Sequence, residues 1–269
     1  MVQKVIPPKR QTLGQALAEQ RNIMGAVILR DLRSRFFNHG LGFLIVPAFP
    51  FVHLLALLGI YGLFGRAAPF GDDLNLFLAT GLIPTLTFMY VSRFMAVSLM
   101  ENRQVLAYPI IGMLEVICAR GLLEILSAIW MATAIVAVFY LLGLDPFPVY
   151  PVEAFKAFCV TLLLAISVGL IISLIAMVFV VFATVWALFL IVIYIASGSL
   201  FVVAFLPEAA VDILAWNPVL HCVEWLRTAY YPGYPDQVLD KTYLVSFAGA
   251  SLTLGLLGER VLRAALLKG

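Results

Sequence analysis

The sequence predicts an all-α polytopic membrane protein, and three observations carry that prediction. Hydrophobic residues make up 63% of the 269 residues and charged ones only 12%. The mean hydropathy is +1.05. The apolar residues fall into blocks long enough to cross a bilayer, separated by short polar stretches. A globular domain is about half apolar and a quarter charged, and no water-soluble core could hide this excess, whereas each transmembrane helix takes up about 20 apolar residues. Two regions follow: a cytoplasmic tip with an amphipathic helix over 1–38, and one membrane domain over 39–269.

The N-terminal stretch MVQKVIPPKRQTLGQALAEQRN has no uninterrupted apolar core. It does not read as a cleavable signal peptide, so the first span must act as the insertion signal. After Pro7 and Pro8, Thr12 is placed to cap a helix over roughly 12–37. In it Leu13, Leu17, Met24, Ile28 and Leu32 recur near helical spacing, while Arg21, Arg30, Arg33 and Arg35 fill much of the rest. That pattern describes a helix lying in the membrane interface with basic side chains toward anionic headgroups.

Six spans are predicted at roughly 41–65, 75–99, 117–143, 154–180, 186–206 and 242–259. The fourth and fifth are nearly continuous, but about 50 residues at 1.5 Å each far exceed a 30 Å hydrocarbon core. A turn near Ala183 and Thr184 is therefore expected. Prolines 47, 50 and 84 fall inside spans, where they free backbone carbonyls and kink helices.

Orientation follows from the basic residues beside the spans. Thirteen of the 17 lie in the N-terminal segment, the 93–120 region and the C-terminal tail; Arg66, Lys156, Arg227 and Lys241 lie opposite, among acids such as Asp72, Asp73, Asp145 and Glu153. Both termini are thus expected on the cytoplasmic side. A net charge of +2 gives no reason to expect nucleic acid. Cys118, Cys159 and Cys222 stand far apart without a metal-ligand spacing, and no metal site is expected. There is no GxxxxGK[ST] phosphate loop and no GxSxG elbow, and the three histidines form no recognisable triad, so no catalytic residue is assigned.

Two connections carry the informative polar residues. The cytoplasmic one, over 100–121 with its coupling region at 100–116, holds Met100, Glu101, Arg103, Val105, Leu106, Tyr108, Pro109 and Ile110. Either it docks on a soluble protein or its apolar residues rest in the headgroup layer. The second, over 207–236 between spans five and six, is too broken to span. Helical pieces dipping into the outer leaflet and returning would suit it, since irregular backbone is tolerated where protein covers it. There His221, Glu224 and Arg227 follow at i, i+3 and i+6 on one side of a helix, forming either a salt-bridged surface or a contact for cargo.

The string Asn217-Pro218-x-x-His221-x-x-Glu224-x-x-Arg227, followed by Pro232-Gly233-Tyr234, resembles the reentrant outer-leaflet segment of ABC-2 permeases that export capsular polysaccharide, the KpsM-like group. Arg30-Asp31-Leu32-Arg33-Ser34-Arg35-Phe36, with Leu41-Gly42 and Pro47, resembles the interface helix and first span of the same family. The resemblance implies the ABC-2 (type V) exporter fold and a transport subunit without enzyme activity. It further implies a homodimer bound to two copies of a nucleotide-binding ATPase subunit, with ATP and Mg on that partner and no cofactor on this chain. The 100–121 connection would be the coupling helix. The cargo would be a lipid-linked capsular polysaccharide crossing the bacterial inner membrane, with a periplasmic co-polymerase or an outer-membrane export protein as a further partner. Another lipid-linked glycan (O antigen, teichoic acid) or a small drug is the alternative cargo; a membrane scaffold or enzyme without an ATPase is the alternative class. A glycan path needs aromatic faces with hydrogen-bonding tips, and Tyr90, Trp130, Trp216 and Trp225 are its candidates, set against a role in the aromatic belts at the membrane interfaces.

Overall fold

A computed structural model describes residues 13–35, 42–108 and 111–266. Among these the chain is helical, with no strand: α1 Leu13–Arg35, α2 Gly42–Leu63, α3 Leu74–Glu101, α4 Met113–Leu141, α5 Pro151–Val178, α6 Val181–Ile195, α7 Glu208–Leu214, α8 Pro218–Tyr230 and α9 Lys241–Leu266. Helices α3, α4 and α5 and the stretch Lys241–Arg263 of α9 are long and apolar enough to cross a membrane; Pro47–Leu63 of α2 and all of α6 are shorter apolar helices. Each of the six predicted spans thus coincides with an apolar helix, four of them of spanning length.

Helix α3 is the central post. Asp73 caps it by accepting hydrogen bonds from the amides of Asn75 (2.7 Å) and Leu76 (3.3 Å), and α2, α4, α5, α6 and α8 all pack on it. Its closest neighbour is α5. A Cβ on Gly169 would press on the Ser92 carbonyl and Met95, so glycine lets the two backbones approach, and lower down Ser98 and Ser173 exchange a hydrogen bond at 3.1 Å. Small residues and interhelical hydroxyls are how apolar helices associate when lipid removes the hydrophobic drive between them.

Two boundaries differ from the expectation. The break between spans four and five falls at Phe179 and Val180 rather than at Ala183–Thr184. Val178, Val180 and Val181 are β-branched and weaken a helix locally, and with no glycine or proline to mark the site the polar Thr184 was the more conspicuous signal. The fifth helix also stops at Ile195 instead of reaching 206. Beyond it Gly198 adopts φ +71, a left-handed conformation that glycine enters without steric cost, and the chain turns through 197–202 into a short 3-10 turn at Val203–Phe205. Helices α7 and α8 follow, with α8 wedged between α3 and α5.

The coupling region also differs in form. Rather than a separate helix, α3 runs to Glu101 and residues 102–108 wind through successive turns, with Val105 and Leu106 amides donating to the Asn102 carbonyl and Tyr108 to that of Val105.

Candidate functional site

Among the described residues, polar groups gather at several places along the bundle, and three of them bear on the site. The first is at the end of the bundle where α3 ends and α4 begins, around Arg120 in the second turn of α4. Its side chain is 1% exposed. Nη1 donates to Asp31 Oδ2 of α1 at 3.1 Å and to Glu101 Oε2 at the end of α3 at 3.3 Å. Nε lies 3.0 Å from Glu124 Oε1 one turn along α4, and the guanidinium sits over the Phe94 ring at 5.7 Å. Beside it Arg30 Nη1 donates to Asn102 Oδ1 at 2.8 Å, while Asn102 Nδ2 caps the Ser98 carbonyl at 3.0 Å. Arg30 and Asp31 of the predicted interface helix therefore face protein partners. Arg33 and Arg35 stand in the last turn of α1, and Phe36 lies outside the described residues.

The turn-rich loop beyond this cluster is anchored and exposed by turns. Val105 is buried, Leu106 and Met100 are half-buried, and Arg103 and Tyr108 face outward, Tyr108 at 66% exposure. Pro109 and Ile110 lie outside the described residues. An aromatic held outward by a buried neighbour three positions back is suited to docking on a soluble surface.

The second cluster surrounds Arg227 on α8. Asn217 caps that helix by accepting from the Val219 amide at 3.1 Å, and its Nδ2 reaches the Ile193 carbonyl; Pro218 follows at the first helical position, where its missing N–H costs nothing. Arg227 is fully buried. Its guanidinium donates to the carbonyls of Gly198 (2.8 Å), Ser199 (2.8 Å) and Phe201 (2.9 Å) and to the Tyr234 hydroxyl (3.3 Å), over the face of Phe77 at 4.0 Å. Tyr234 in turn donates to Glu224 Oε1 at 2.9 Å. A Cβ on Gly81 of α3 would run into Ser199 backbone and the guanidinium, so this turn is seated directly on α3.

His221 stands apart from that group. Its Nε2–H donates to the Ala215 carbonyl at 2.8 Å and its Nδ1 accepts from the Asp240 amide at 3.1 Å, with Tyr243 against the ring. This pairing ties the α7–α8 junction to the start of α9. Because His221, Glu224 and Arg227 are all buried within the single chain, the trio works as an internal brace and presents no surface to cargo.

The third place lies along α3, on which α2 and α6 both pack. His53 Nδ1 of α2 lies 3.3 Å from the Tyr90 hydroxyl of α3, and the His53 ring is 6.3 Å from that of Tyr194 on α6. All three are half-buried. The buried Tyr194 and Thr87 hydroxyls have no hydrogen-bond partner. Trp130 packs edge-on against Phe51 of α2 at 5.6 Å. The other two aromatic candidates lie elsewhere. Trp225 donates through Nε1 to Glu153 at 2.9 Å beneath Lys241, and Trp216 is 78% exposed beyond α7.

Arg120, Glu124 and His53 were not singled out as site residues from the sequence, whereas Tyr194, like Tyr90, stands among the aromatic residues of the predicted spans. The signal for the first two was present, since an arginine and a glutamate one turn apart inside an apolar helix must find partners. Their partners come from 31 and 101, which no local pattern reveals. Among the described residues no group of His, Cys, Asp and Glu is arranged to hold a metal ion.

Comparison with known proteins adds the following. Residues 24–231 match the ABC-2 type transporter family. The chain is 29% identical over 241 residues to the polysialic acid transport protein KpsM of Escherichia coli, covering 88% of this chain and 92% of that protein. It is 28% identical over 222 residues to the capsule polysaccharide export inner-membrane protein BexB of Haemophilus influenzae, covering 82% and 83%. With the capsule polysaccharide export inner-membrane protein CtrC of Neisseria meningitidis serogroup B it shares 27% over 219 residues, 81% and 82% of the two chains.

Proposed function

This chain belongs to the ABC-2 type transporter family, and we propose that it is the permease subunit of an ATP-driven exporter that carries a lipid-linked capsular polysaccharide across a bacterial inner membrane toward the periplasm. Its relatives over most of the chain are capsule polysaccharide export and polysialic acid transport proteins, which supports both the cargo class and the location. In this reading α2, α3, α4, α5, α6 and α9 are the six spans, α7 and α8 form a reentrant hairpin in the outer leaflet, and both termini are cytoplasmic. Two copies stand side by side on two ATPase subunits, which hold the ATP and Mg. A periplasmic co-polymerase or outer-membrane export protein takes up the polymer.

The observation that carries the reading is the grouping of His53, Tyr90 and Tyr194 at α3. Polar aromatic groups at membrane depth are costly against lipid and usually face a protein interior or a water-filled cavity. A sugar polymer supplies both C–H faces for rings and hydroxyls for the tyrosine tips. In this reading Tyr90 is the aromatic candidate that lines the path, supported by its contact with His53.

The test is transport into inverted membrane vesicles carrying the chain and its ATPase, supplied with lipid-linked acidic polysaccharide. ATP-dependent uptake is expected, reduced about tenfold by Tyr90→Ala with Tyr194→Ala. Equal uptake of a neutral lipid-linked glycan would widen the cargo to other polymers, and no uptake of any glycan would refute the reading.

A further inference from the structure

We propose that Arg120 is the positioning residue through which movement of the cytoplasmic loop reaches the interface helix and the bundle, so that losing its charge uncouples ATP turnover from export. The inference rests on the exporter reading above.

The geometry supports it in three steps. First, the loop that presents Tyr108 begins at Asn102, immediately after Glu101, so any push on the loop is delivered to the last turn of α3. Second, that turn is bonded sideways to two other elements. Glu101 meets Arg120 of α4 at 3.3 Å, and Asn102 meets Arg30 of α1 at 2.8 Å. Third, Arg120 passes the contact on, since the same Nη1 that reaches Glu101 also reaches Asp31 of α1 at 3.1 Å. One guanidinium therefore stands at the meeting point of loop, interface helix and first cytoplasmic turns of α4.

The kind of bond matters as much as its place. Glu101 is half exposed, whereas Asp31 and Glu124 are buried. A guanidinium has five donors in a planar fork, and here it faces carboxylates from three elements. It can transfer weight from Glu101 to Glu124 as the end of α3 shifts without leaving a buried charge unpaired, which would be costly. An apolar contact in this place would hold α1 against α4 but would have no alternative partner to move to.

The test uses the complete complex of chain and ATPase subunit in native membrane, comparing Arg120→Gln, Arg120→Lys and Asp31→Asn. Arg120→Gln is expected to keep the co-purified ATPase and its ATP turnover within twofold of the wild type while export falls at least tenfold. Arg120→Lys should recover export to within threefold, since a charge remains to be shared. Asp31→Asn should lower export without changing assembly, and adding it to Arg120→Gln should lower export no further, because the two act through one contact. Export and ATP turnover falling together, in step with the amount of assembled complex, would overturn the inference in favour of a purely structural role. Unchanged export in Arg120→Gln would overturn it as well. Failure of the exporter reading itself is separate: it would appear in the wild type, as a chain that binds no ATPase.

Discussion

Among the described residues two arginines are buried, one near each end of the bundle, and their partners differ in kind. Arg227 is bound mainly to backbone, with three carbonyls of a single turn accepting from its Nη1 and Nη2 and with Tyr234 and Glu224 beside them. Arg120 is bound to side chains, with carboxylates from α1, α3 and α4 around it. Carbonyls of a turn cannot be exchanged without unfolding the turn, so Arg227 is a fixed pin that lets irregular backbone sit against α3. Carboxylates on separate helices can change distance independently, so Arg120 is a joint. The same side chain therefore gives rigidity on the side of α8 and allows movement beside the loop after α3, and the partner type decides which.

The comparison can be broken most severely at the pin. Arg227→Met should cost about 4 kcal/mol, the size expected when one member of a buried charged network is removed. Thermal unfolding in mild detergent would read it, and Arg227→Lys should recover little, because a compact ammonium cannot span three carbonyls as a planar fork does. A loss no larger than that of Arg120→Gln would erase the distinction.

Gly81→Ala probes the same pin from the α3 side. Its Cβ would enter the space of the Ser199 backbone, and a loss of about 3 kcal/mol is expected from overpacking against atoms that cannot move aside, read as a lower unfolding temperature. Asp31→Asn at the joint should be gentler, about 1.5 kcal/mol for one charge-assisted hydrogen bond, since Arg120 keeps Glu101 and Glu124. Ser173→Ala, midway between the two ends, removes only the hydroxyl contact with Ser98 and should cost about 0.6 kcal/mol, the typical value for an interhelical hydrogen bond in a membrane protein. If Asp31→Asn proved as damaging as Gly81→Ala, the joint would be as rigid as the pin.

How far the sequence revealed this arrangement depends on whether the signal is local. Apolar blocks marked the six apolar helices, four of them of spanning length, because hydropathy is a property of each segment, and Asn217-Pro218 marked the start of α8 because capping is decided within three residues. The pause at Phe179 and Val180 was misplaced because β-branched residues weaken a helix without announcing a turn. The end of α6 at Ile195 was missed because its cause lies in Arg227, about 30 residues onward, which takes up the carbonyls that a continuing helix would have used. Helical spacing put His221, Glu224 and Arg227 on one side of α8, yet only the latter two share partners with Tyr234, while His221 turns to Ala215 and Asp240. Arg120 entered the sequence reading as one positive charge counted toward orientation. Its role as a junction depends on Asp31 and Glu101, which only the fold brings near.

The central claim is that this chain works as the membrane half of an ATP-driven exporter, engaged through the loop after α3. Purification of the tagged chain from its native membrane in mild detergent tests it most directly. The account predicts an ATPase subunit in equal amount with the permease, lost when Tyr108→Asp places a charge on the exposed tip of the loop. A folded chain that purifies without any ATPase subunit would contradict it.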